Sequence, residues 1–73
     1  MVVAGFDRIT IEPEKMGGQP CIRGMRLTVR RVVDIMATYE DRVELFREYP
    51  ELEEEDLRHA AEFAAASRAR ERA

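Results

Sequence analysis

The sequence predicts a mostly α domain, a trihelical helix-turn-helix preceded by a short N-terminal β arm. Three observations carry this expectation. Apolar residues recur at helical spacing between Val29 and Tyr39. Two further helix starts follow, at Asp41 and Glu53, with Pro50 between them. Upstream of Val29 the pattern changes to short alternating and glycine-bounded pieces, which suit strands and turns. The chain divides into 1–28, the β arm and basic turn; 29–66, the trihelical domain; and 67–73, a frayed helical tail.

Taken in order, Phe6 to Glu12 reads as a short strand that alternates apolar and polar from Ile9 onward, with Ile9 and Ile11 on one face, and Pro13 stops it. Pro13 to Gly18 reads as a loop. The stretch that organises the chain runs from Gly17 to Val29. Gly17 and Gly18 permit positive φ, and Pro20 fixes the backbone that follows. Cys21-Ile22 and Leu27-Thr28-Val29 form two β pieces around Arg23-Gly24-Met25-Arg26, with Gly24 supplying the turn. A small arm of this kind leaves open edges, so an intertwined two-fold dimer is expected to close them.

Thr28 caps a helix running to about Tyr39, with Val29, Val32, Val33 and Met36 on its stripe and Ile35 widening it. Asp41 and Glu44 form a capping box for a second, short helix whose apolar side is Val43, Phe46 and Tyr49, with Leu45 beside them. Pro50 ends it, because a residue before proline is pushed out of the helical region. Leu52 and Leu57 stand at the distance of a hydrophobic staple around Glu53, with Asp56 at the third helical position. Leu57, Ala60, Ala61 and Ala64 form the buried stripe of this third helix, with Phe63 at its margin and His59 on the surface. From Ser67 onward no large apolar residue anchors the chain.

Seventy-three residues make one domain, which buries only about 60% of its unfolded surface and needs outside support. One cysteine and one histidine give neither an internal disulfide nor a zinc site, so self-association is the expected support. No apolar run reaches the roughly 20 residues of a membrane span, and Met1 to Phe6 is too short for a signal peptide. A lone thiol fits a reducing cytoplasm.

The net charge of −3 conceals an asymmetry. Residues 1–31 carry six Lys/Arg against three Asp/Glu, whereas residues 32–73 carry six Arg against twelve Asp/Glu. Two surfaces for two partners are expected from such a division. Arg23, Arg26, Arg30 and Arg31 are the candidate nucleic-acid contacts. From two subunits they supply about eight phosphate contacts, and log affinity should fall against log salt with a slope of roughly −7. Four carboxylates at the start of the third helix, Glu53 to Asp56, oppose the usual recognition-helix mode. The basic arm is therefore expected to bear DNA, with Arg42 or Arg47 assisting.

Catalysis is not expected. Cys21 and His59 are the one conceivable nucleophile and base, and each reads better as a packing or surface residue. Ser67 lies in the tail, and the Glu53–Asp56 run points in several directions around a helix. Gly17-Gly18 lacks the strand, helix and longer glycine pattern of a nucleotide loop. No metal, cofactor or small-molecule substrate is implied.

The stretch from Gly17 to Val29, followed by Tyr49-Pro50-Glu51-Leu52 and Asp56-Leu57, resembles a small bacterial family. That family was first catalogued as a domain of unknown function and is associated with VapB-type antitoxins. Its pattern is roughly G-G-x-P-x-I-x-G-T-R-I-x-V, a helix, then Y-P-x-L-[ST]-x-x-D-[IV], and the resemblance covers about residues 9 to 65. It implies a homeodomain-like domain with a β arm. It also implies an antitoxin that binds a PIN-like ribonuclease toxin and, as a dimer, operator DNA. Gly17, Gly18, Pro20, Gly24 and Arg26 match the first motif, and Tyr49, Pro50, Leu52 and Asp56 the second; all look fold-defining. Three residues depart from the pattern: Met25 for threonine, Tyr39 for a helix-ending glycine, and Glu53 for a Ser/Thr cap. If the toxin surrounds its metal with acidic residues, Arg68, Arg70 and Arg72 are the candidate toxin contacts. The alternatives are a stand-alone DNA-binding regulator and a dimeric protein-interaction module that binds no DNA.

Overall fold

The computed structural model describes residues 1–71, with Arg70 and Glu71 as backbone alone. Three helices pack on a three-stranded antiparallel sheet, and about half of the chain is helical. The strands are β1 (Val2–Val3), β2 (Phe6–Thr10) and β3 (Cys21–Ile22), in spatial order β1-β2-β3. The helices are α1 (Val29–Thr38), α2 (Arg42–Glu48) and α3 (Glu54–Glu71). No helix among the described residues is long and apolar enough to cross a membrane.

β1 had no sequence signal of its own. Two valines are too few to show a period, and they are held by pairing: Val2 lies opposite Thr10, and the Ile11 amide donates to the Met1 carbonyl at 2.9 Å. On the other side of β2, Ile9 lies opposite Ile22 and Thr10 opposite Cys21. The expected partner strand Leu27–Val29 shrinks to a single bridge between Cys21 and Thr28, because Val29 is taken into α1. The sheet packs on its own chain. Ile9 and Ile22 are fully buried with Val32, Ile35, Leu45 and Leu57, and β2 lies along α3. Phe6 meets Phe63 edge to face at 5.3 Å between ring centroids. Ile11, expected on the buried face beside Ile9, is exposed beyond the end of β2.

α1 and α2 each begin with a polar cap. Thr28 Oγ1 accepts from the Arg31 amide at 3.1 Å, which satisfies one of the orphan donors of α1. Tyr39 leaves α1 in an extended conformation (φ −109°), so the family's left-handed glycine cap is absent rather than strained. Its ring packs edge to face on Tyr49. At the start of α2, Asp41 accepts from the Val43 amide at 3.0 Å, a cap without the expected reciprocal bond from Glu44 among the described residues. The core-facing residue of α2 is Leu45, fully buried, while Val43 is 66% exposed. A seven-residue helix shows too little period to fix its face. Pro50 follows Tyr49, which has left the helical region (φ −129°, ψ 70°), and Leu52 and Leu57 close the staple in the core. α3 runs as one helix to Glu71, into the expected helical tail that begins at Ser67. Along it Leu57 and Ala60 are buried, Ala61 is exposed, and His59, expected on the surface, is only 7% exposed. Phe6 covers that imidazole, with the rings edge to face at 6.1 Å.

Candidate functional site

The hairpin between β3 and α1 is built on a tight turn. The Met25 amide donates to the Ile22 carbonyl at 2.8 Å and the Ile22 amide to the Leu27 carbonyl at 2.9 Å. Arg23 and Gly24 both take positive φ, 45° and 72°, as a turn of the type I′ kind requires. Glycine accepts this freely, whereas arginine must be held. Holding groups surround it. The Arg23 amide donates to the Arg8 carbonyl at 2.9 Å, the Gly24 amide donates to Thr10 Oγ1 at 2.9 Å, and Lys15 Nζ donates to the Gly24 carbonyl.

The Arg23 side chain points back into the molecule. Its Nε donates to Asp56 Oδ1 at 3.0 Å, and its Nη2 to Asp56 Oδ2 at 2.8 Å and to the Glu51 carbonyl at 2.6 Å. Arg8 Nη1 reaches the same Oδ1 at 3.1 Å and also pairs with Glu53. Asp56 Oδ2 accepts the Glu53 amide at 2.9 Å, one half of a capping box. Asp56 is fully buried. Burial pushes its carboxyl up, but hydrogen bonds from Arg23, the Glu53 amide and Arg8 outweigh that and hold it below its ordinary value. The candidate DNA contact Arg23 and the fold-defining Asp56 therefore meet in one internal network. Arg8, the third member, gave no sign in the sequence; its partner Asp56 is 48 residues away.

Arg26, Arg30 and Arg31 remain at the surface. Arg26 borders a small cleft with Glu12, Glu14 and Lys15. Arg31 Nη2 donates to Tyr49 Oη at 3.3 Å, which joins α1 to the end of α2. Arg30 stands on the edge of a groove of about 520 Å³ between α1 and the later turns of α3. Pro20, Val29, Val33, Phe63 and Ala64 give this groove its apolar lining, and Asp34 and Arg68 also line it. Arg30 and Arg68 thus share one feature, which sequence reasoning had divided between two partners. Arg72 and the side chain of Arg70 lie outside the described residues.

The carboxylates at the start of α3 are each paired with a guanidinium. Glu53 pairs with Arg8, Glu54 with Arg42 at 3.1 Å, Glu55 with Arg58 at 2.7 Å, and Asp56 with Arg8 and Arg23. The acidic run is thereby partly neutralised, and Arg42 is drawn into it.

The remaining fold-defining positions are local. Met16, Gly17 and Gly18 take three successive positive φ values, 52°, 68° and 81°, in a single 3-10 turn. The Pro20 carbonyl accepts the Val29 amide at 2.9 Å. Cys21 is buried, its thiol donating to the Gln19 carbonyl at 3.4 Å, and burial raises its pKa. His59 stands apart, with Nδ1 3.4 Å from Asp7 Oδ1 and Nε2 3.7 Å from Glu55 Oε2.

No curated protein and no solved structure matches the chain. Residues 9–64 match the family described as Protein of unknown function (DUF433), a span that holds the hairpin, all three helix starts and the Arg23–Asp56 pair, with Arg8 one residue outside it. The chain belongs to this family.

Proposed function

We propose that the protein is the antitoxin of a type II toxin–antitoxin pair, a dimer that covers a PIN-like ribonuclease toxin and represses its own operon. The observation that supports this best is the division among the arginines. Arg8 and Arg23 are bound to Asp56, while Arg26, Arg30, Arg31 and Arg68 present their guanidiniums at the surface. Planar guanidinium forks suit both phosphate and the carboxylates of a nuclease centre. In this reading α1, α2 and α3 form the helix-turn-helix, with the turn at Tyr49 to Glu53. DNA is gripped through Arg26, Arg30 and Arg31, and the toxin through the end of α3. Inhibition requires coverage of a site and no chemistry by this chain.

The test is co-expression with a PIN-like ribonuclease encoded beside it, followed by measurement of the complex's mass and of ribonuclease activity. A stable complex with suppressed cleavage is expected. Truncation after Ala66 should abolish suppression while leaving the sheet and helix starts intact. Full suppression by the truncated chain would remove Arg68, Arg70 and Arg72 from the account. A second reading, a protein-interaction module without DNA binding, draws on the exposed Glu53, Glu54 and Glu55. Retained dimerisation with no salt-sensitive affinity for any duplex would favour it.

A further inference from the structure

We infer that the groove between α1 and α3 is the self-association face, occupied by the α1 ridge of a second copy. The inference deepens the dimer of the preceding reading and does not depend on the toxin. It starts from two side chains one turn apart on α1, Arg30 and Asp34, which both line the groove beside Val29 and Val33. Among the described residues neither forms an ion pair, although Arg8, Lys15, Arg23, Arg42 and Arg58 all do. Their order explains why they do not pair with each other, since the cation precedes the anion, the weaker arrangement four residues apart in a helix.

A basic and an acidic residue on one ridge make a self-complementary surface. Under two-fold symmetry, contact of one position with another is repeated in reverse. Two antiparallel α1 ridges, each laid in the other's groove, bring Arg30 against the partner's Asp34 and Asp34 against the partner's Arg30. Ridge-in-groove packing of this kind is the ordinary way for helices to meet. The carboxylate that enters the groove also faces Arg68 on the α3 wall, so it lies between two guanidiniums. The apolar lining from Val33, Phe63 and Ala64, half-buried in one copy, is then covered. The face is separate from the sheet, whose central strand β2 packs on its own α3. Arg30 leaves the DNA-facing set, where Arg26 and Arg31 remain, and Arg68 leaves the toxin-facing set, where Arg70 and Arg72 remain.

Charge exchange tests this directly. Sedimentation velocity on the full chain should give a dimer. Arg30→Glu sets carboxylates against carboxylates twice per dimer, and Asp34→Arg sets guanidiniums against guanidiniums. Each should weaken association by roughly a hundredfold, because like charges facing across an interface are strongly disfavoured. Both positions are exposed on α1, and circular dichroism should report unchanged helix content. Mixed together, the two variants should recover a heterodimer more stable than either variant's own dimer, since the two altered residues then meet with opposite charge, and Arg68 beside position 34 keeps it below the wild type. A monomeric wild type, undisturbed dimers of either variant, or no recovery on mixing would overturn the inference. Toxin suppression by the monomeric variants would separate this outcome from failure of the antitoxin reading.

Discussion

Asp56 sets the energetic scale at the level of single residues. A carboxylate with no exposure must be compensated, and here two guanidiniums and one amide do so. Removing it leaves Arg8 and Arg23 facing a cavity. Asp56→Ala is expected to cost about 3–5 kcal/mol, the range for breaking a buried ion pair, as measured by urea unfolding. Arg23→Ala should cost less, about 2 kcal/mol, since Arg8 still reaches Oδ1; alanine keeps the Cβ that strains the left-handed turn, so the backbone gains nothing from the change. The same carboxyl gives a pH dependence whose sign follows from its lowered pKa. A depressed pKa in the folded state contributes stability that is complete above the unfolded value, about 3.9 for aspartate. That contribution falls away as pH drops below about 4 and through the lower folded value. Urea midpoints between pH 3 and pH 7 should therefore show a steep acid limb that Asp56→Asn flattens.

At the level of elements, the caps were legible and the long-range partners were not. Thr28, Asp41 and the Leu52–Leu57 staple act within a few residues of themselves, so their chemistry could be read along the chain and is found in place. Thr28→Ala should lower stability by about 1 kcal/mol, seen as a reduced thermal midpoint. The turn at Gly24 was legible for the same reason. Gly24→Ala places a Cβ at φ 72° and should cost a further 1 kcal/mol or about that. Other features depend on residues distant in sequence. β1 exists because β2 offers it an edge, and His59 is buried because Phe6 from β2 crosses it. Arg23 turns inward for a related reason, since α3 brings a buried carboxylate beneath the hairpin. A basic residue in a turn looks the same in sequence whether it faces solvent or a carboxylate. The Arg23 reading could therefore identify the chemistry of the group but not its partner. The face of α2 was equally hidden, because seven residues allow Val43 or Leu45 to take the core position.

For the whole molecule, the proposed DNA binding makes a count of guanidiniums that salt can test. With Arg23 held by Asp56, a dimer offers at most six from Arg26, Arg30 and Arg31, and four if Arg30 belongs to the self-association face. At about 0.9 per phosphate contact, log affinity should fall against log salt with a slope of about −5 in the first case and about −4 in the second. Four arginines per subunit, as sequence alone allowed, would give about −7. Fluorescence anisotropy with operator DNA over a range of salt separates the extremes, and single variants separate the rest. Arg26→Ala and Arg31→Ala should each make the slope shallower by about 2, two contacts being lost from each dimer. Arg30→Ala should do the same only if it faces phosphate. If it faces Asp34 of a second copy, its slope stays at that of the wild type while the protein concentration needed for binding rises. Arg23→Ala gives the complementary control. Its loss should lower the unfolding midpoint without changing the slope if Asp56 keeps its guanidinium from phosphate.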